Sequence, residues 1–132
     1  MDTADHSVLH EILARGEGFG HRQHIELAWR YLAARGPAGA ADAVAAAIRE
    51  LAAAHGQPAK YHETMTRSWA RCVAVHAERW PAVTAPEFID RNPELLDPGL
   101  LGHFYSPELL GSDAARAQWV APDLRDLPAL AS

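Results

Sequence analysis

The sequence predicts an all-α protein: a compact bundle of about four main helices, then short helical pieces and an irregular C-terminal tail. Three observations carry that expectation. Alanine, the strongest helix former, fills about a fifth of the chain, far above its usual share. Apolar residues recur at spacings of three and four, and no stretch alternates as a strand would. The length of 132 residues suits one domain with one core. Within that single domain, 1–132, the chain reads as an N-terminal helix and connector (1–18), main helices (19–80), short helices (81–120) and a tail (121–132).

The first helix is expected to start near Asp2 or Thr3 as N-cap, to turn Val8, Ile12 and Leu13 inward and to end at Arg15-Gly16. Gly16, Gly18 and Gly20 then break the chain. A second helix over about His21 to Ala34 buries Ile25, Ala28, Trp29 and Leu32 and stops at Gly36-Pro37. The third, from about Pro37 to His55, is alanine-rich and turns Val44, Ile48 and Leu51 inward; its small residues let a neighbour approach closely. The fourth and longest runs from about Ala59 to Trp80, closed by Pro81, with Met65, Trp69, Cys72, Val73 and His76 near one face. Beyond it prolines set the joints of short pieces at about 86–90, 92–96, 98–104 and 113–120. The last dozen residues read as a strand-free tail, laid over the bundle or partly loose.

Composition narrows the function classes. A net charge of −5 disfavours general affinity for phosphate backbones, so nucleic acid is not an expected partner. No apolar run approaches the roughly 20 residues of a membrane span, so no membrane is expected either. Cys72 is the only cysteine, which excludes a disulfide framework and thiolate metal clusters. The lone thiol and the acidic start without a signal-peptide pattern make the cytoplasm the expected location. Glycine loops for nucleotide phosphates, nucleophile elbows and H-E-x-x-H runs are missing, so no nucleotide cofactor is expected. Eight histidines are the informative abundance.

His21 and His24 stand at i and i+3 on the opening turn of the second helix, where both imidazoles reach one point. In an up-and-down bundle the second and fourth helices begin at the same end, which brings His62 toward that pair. His21, His24 and His62 are therefore the candidate ligands of a divalent metal, with Zn, Fe, Cu and Ni not distinguished by these donors. The segment Lys60-Tyr61-His62-Glu63-Thr64-Met65-Thr66 crowds useful side chains into seven positions. Glu63 is placed as the proton-moving carboxylate, with Lys60 and Thr66 as catalytic partners. Tyr61, Trp29 and Trp69 are the expected pocket walls for a small molecule.

Each has a plainer reading. The histidine pair can be a solvated first turn, Glu63 an acid favouring a helix N-terminus, and each tryptophan a core aromatic. His6 and His10, at i and i+4, are a rival metal pair expected to be exposed by their terminal position. His76 lies about 21 Å along the helix from His62 and cannot share its site. Cys72 reads as an inert buried thiol.

The ordered blocks Phe19-x-His21-x-x-His24, Trp29-x-Tyr31-Leu32, His55-Gly56, Lys60-Tyr61-His62-Glu63-Thr64, Asn92-Pro93-x-Leu95, Tyr105-Ser106 and Pro122-Asp123 resemble an uncharacterised family of small helical bacterial proteins. The resemblance implies no activity and transfers no catalytic residue. The leading expectation from the residues is a small enzyme with a histidine-lined, metal-assisted or acid-base pocket for hydrolase, lyase or tailoring chemistry. Its rival is a non-catalytic ligand-binding or dimerisation module with pH-sensitive histidines. A homodimer is compatible with the alanine-rich third helix.

Overall fold

The computed structural model describes residues 6–130, and among these there are six α-helices, three 3-10 turns and no strand. The all-α expectation holds. Helix α1 (Ser7–Ala14) has His6 at its N-cap position, without a side-chain cap hydrogen bond, and buries Leu9 and Ile12. The expected N-cap positions Asp2 and Thr3 lie outside the described residues.

Helix α2 (His21–Ala54) is continuous in hydrogen bonding but not in direction, because Gly36 sits at φ 76° and ψ 173°. That backbone region is in practice open only to glycine. Pro37 then supplies a preset φ for a new first turn, so the second and third expected helices appear as two arms, 21–35 and 37–54. Contacts with helix α3 (Glu63–Arg79) prove the fold-back. Trp69 of α3 touches His21, and Glu63 of α3 pairs with Arg49. In a straight helix residues 21 and 49 would stand about 42 Å apart, while residues 63 and 69 of α3 are separated by only about 9 Å of axis. No pair of side chains spans that difference.

Helix α3 runs antiparallel to the second arm, since Glu63 meets Arg49 and Arg67 meets Asp42. Ala40, Ala43 and Ala47 are buried on the arm and permit the close approach that was expected of a small-residue helix. The core joins both arms to the rest: Leu9, Ile12, Ile25, Leu27, Val44, Trp69, Val73, Phe88, Leu95 and Leu101 form one buried cluster. Each large aliphatic there contributes about 1.5–3 kcal/mol by leaving water.

The fourth expected helix starts later than Ala59. Pro58–Lys60 is a 3-10 turn, Tyr61 is extended, and His62 is the N-cap of α3, so Lys60, Tyr61 and His62 precede the helix. Helix α4 (Ala85–Arg91) and the 3-10 turns Pro93–Leu96 and Leu100–His103 match three of the expected short pieces. Helix α5 (Pro107–Leu110) was not expected, and α6 (Asp113–Ala117) ends before Val120. The chain from Gln118 to Pro128 is held against α3 and the Tyr105–Ser106 segment. Thr64 Oγ1 donates to the Gln118 carbonyl at 2.9 Å and accepts from Val120 N–H at 3.1 Å. Tyr105 Oη donates to the Val120 carbonyl at 2.8 Å, and Asp123 takes both the N–H and the hydroxyl of Ser106.

Candidate functional site

The crowded segment before α3 serves the fold. His62 is buried, and its two ring nitrogens are both used: Nδ1 accepts from Met65 N–H at 3.1 Å, capping α3, and Nε2–H donates to the Leu110 carbonyl at 2.7 Å. No lone pair is left for an ion. Glu63 receives Tyr61 Oη–H at 2.5 Å and Arg49 at 2.7 Å on one oxygen, and Arg67 Nε–H at 2.6 Å on the other. Partial burial pushes the Glu63 carboxyl upward, but the Tyr61 and Arg67 hydrogen bonds and the two guanidinium charges outweigh it and hold it below the usual carboxylate value. A general base for neutral pH needs the opposite shift. Glu63 is thus the centre of an ion network rather than a poised proton acceptor. Tyr61 is raised above its ordinary value, first by burial and then by the hydrogen bond to Glu63. Arg49 covers its ring at 4.7 Å.

The remaining sequence-predicted residues are dispersed. Lys60 is exposed, and its backbone carbonyl accepts from Arg116 at 3.2 Å. Thr66 is buried and shares a hydrogen bond with the Tyr61 hydroxyl. Trp29 stacks on Phe88 at 6.1 Å, and Trp69 is buried against His21 at 4.4 Å, so both are core aromatics and neither walls a pocket. His21 Nε2–H donates to the Leu95 carbonyl at 2.7 Å. His24 sits beside it with ring centroids 6.4 Å apart, and its Nε2 is enclosed without a partner. Burial, reinforced by the neighbouring His21, lowers the His24 imidazole to about 4. His21, His24 and His62 are not brought together as a ligand set: among the described residues no three His, Cys, Asp or Glu side chains are grouped to hold an ion. His62 stands about 10 Å along α3 from the tryptophan that His21 touches. Cys72 is buried and raised to about 11 by burial, an inert thiol as expected.

One pattern links two of the histidines. The tetrapeptide Pro-Glu-Leu-Leu occurs at 93–96 and again at 107–110, each time as a short helical turn. A carbonyl of the first accepts from His21, at the start of α2, and one of the second accepts from His62, at the start of α3. The two contacts use different positions of the tetrapeptide, its third residue at Leu95 and its fourth at Leu110, so the repeat alone does not foretell them.

A small space of about 180 Å³ is lined in part by Lys60, Tyr61 and His55, and a larger one lies elsewhere. A cavity of about 350 Å³ opens between the second arm of α2 and α3, beneath the tail. That volume falls within the usual range for small-molecule pockets. Its floor is made of Ala38, Ala41, Ala70 and Ala74, and its edges of Trp119 and Leu130 from the tail and Arg67 and Arg71 from α3. Trp119 is 44% exposed, yet its chain neighbours Gln118 and Val120 are both tied to Thr64, so the indole is held over the opening. Arg67 is matched by Glu63 and Asp42. Arg71 has only the Pro128 carbonyl at 3.5 Å and no carboxylate partner among the described residues. Sequence reading missed these residues because the cavity is assembled from alanines, which carry no chemical signal, and from a tail without periodicity. The i, i+4 arginine pair 67 and 71 was the one available hint.

No family model, curated protein or solved structure matches the chain, so no function reaches it by similarity. No helix among the described residues is long and apolar enough to cross a membrane.

Proposed function

We propose that the protein is a non-catalytic helical module that binds a small molecule in the cavity between the second arm of α2 and α3. The observation that carries this reading is the alanine-lined space of about 350 Å³, with an indole at its edge and an arginine that has no acid partner among the described residues. Supporting it from the other side, the residues that an enzyme reading needs are committed to the fold. His62 has both nitrogens bonded, and Glu63 accepts from three donors. The pocket thus moves from the histidine end, where the sequence put it, to the surface of α3 under the tail.

A fragment screen followed by amide and indole NMR tests the reading. Hits are expected to shift the signals of Ala41, Ala70, Ala74 and the Trp119 indole together. Ala41→Trp, which fills the floor with a large ring, is expected to abolish those shifts while leaving the rest of the spectrum in place. Hits that bind Ala41→Trp as well as wild type, or a library without any hit at these positions, would overturn it.

A further inference from the structure

Charge and shape at this cavity select a ligand class, an inference that rests on the cavity being the binding site. Of the two guanidinium groups at its edge, Arg67 is already balanced, with Nε–H on Glu63 at 2.6 Å and Nη1–H on Asp42 at 3.0 Å. Arg71 is exposed, and its only hydrogen bond among the described residues is a 3.5 Å contact to the Pro128 carbonyl, at the outer limit of such bonds. Among the described residues the rim therefore has one guanidinium without a carboxylate partner, presented as a planar fork of donors. A carboxylate matches that fork with two parallel hydrogen bonds and brings the single negative charge that neutralises it. The weak Pro128 contact is readily given up to it.

The remainder of the site asks for a flat apolar body. Four alanines line the cavity together with Pro37 and Leu130, so its walls are small and largely apolar. The Trp119 ring stands at the edge, braced at 6.5 Å by Tyr105, whose own hydroxyl is tied to Val120. An indole fixed in this way offers stacking without first having to be ordered. At about 30 Å³ for each displaced water, the cavity holds about a dozen water equivalents, comparable to the heavy atoms of a two-ring acid. We infer that the ligand is a planar aromatic or conjugated monocarboxylic acid of one or two rings, its carboxylate on Arg71 and its ring between Trp119 and the alanine floor.

The probes are 2-naphthoate and its neutral counterpart 2-naphthamide, titrated into the full chain by calorimetry with the indole NMR signals followed in parallel. Trp119 is assigned through Trp119→Phe. Naphthoate is expected to shift the Trp119 indole and to bind at least about tenfold more tightly than the amide, the usual worth of a hydrogen bond to a charged group. Arg71→Gln is expected to remove that preference, bringing the two affinities to within about twofold of each other. Because Arg71 is exposed, the variant keeps the fold, which its amide spectrum verifies. Equal affinities for acid and amide at the Ala41 and Trp119 signals, unaltered in Arg71→Gln, would overturn the carboxylate assignment while leaving the cavity as the binding place. If neither probe perturbs these signals at millimolar concentration, the cavity reading falls with it.

Discussion

Replacing His62 separates a structural imidazole from a functional one. His62→Ala removes the side-chain cap of α3, about 1 kcal/mol in comparable helices, because Met65 N–H loses its acceptor at 3.1 Å. It also strips the partly buried Leu110 carbonyl of its donor at 2.7 Å, about another 1 kcal/mol. The ring is only 8% exposed, so its lost packing adds roughly 1 kcal/mol more. The sum is about 3 kcal/mol, a large part of the stability of a domain this size. His62→Asn restores an oxygen acceptor at the cap but cannot reach Leu110, and is expected to lose about 2 kcal/mol. Urea unfolding at pH 7, followed by circular dichroism, measures both. The order wild type, Asn, Ala, with about 1 kcal/mol between the variants, supports the clip. An alanine variant within 0.5 kcal/mol of wild type, a marker of roughly neutral surface substitutions, would refute it. So would a wild-type curve that a chelator shifts as far as the mutation does.

Three further outcomes follow from local geometry. Gly36→Ala is expected to cost about 1–3 kcal/mol in thermal or urea unfolding, all of it backbone strain, because φ is 76° there and a Cβ would meet nothing within 4 Å. A neutral result would mean that the corner between the arms is not as described. His24 has a folded pKa of about 4 against 6.5 ordinarily, so the unfolded chain takes up the proton first; stability is whole above pH 6.5 and falls as pH drops toward 4, at up to about 1.4 kcal/mol per unit. His24→Leu is expected to flatten the curve of unfolding free energy against pH between 6.5 and 4.5, and an unchanged slope would assign the effect to another group. Thr64→Val deletes the hydroxyl that ties Gln118 and Val120 and is expected to cost about 1–2 kcal/mol and to speed proteolytic cleavage within residues 118–130. Cleavage at the wild-type rate would show that the tail is held by other contacts.

How much of this was legible in the sequence depends on what each residue does. The helices were readable because periodicity and breakers act locally: Gly36-Pro37 marked the corner, and the alanines of the second arm marked a close helix contact. The start of α3 was misplaced because helix propensity runs unbroken through Lys60 and Tyr61, and nothing in the local pattern shows that His62 finds its second partner 48 residues away. For the same reason the crowding of Lys60 to Thr66 looked like chemistry. Tyr61, His62, Glu63 and Thr66 are polar because each meets a specific long-range or neighbouring partner in a packed corner, a requirement that tertiary structure alone reveals. Trp119 escaped notice because the short piece expected at 113–120 ends as a helix at Ala117, and only the contacts of Thr64 and Tyr105 fix the chain on either side of the ring.

Two variants compared in one NMR experiment reach the centre of the account. A small molecule that shifts the Trp119 indole is titrated into His62→Asn and into Ala41→Trp. Binding kept in the first and lost in the second is the outcome predicted for a site under the tail, with the histidines serving the fold. Binding lost in a folded His62→Asn and kept in Ala41→Trp would return the site to the histidine end and contradict it.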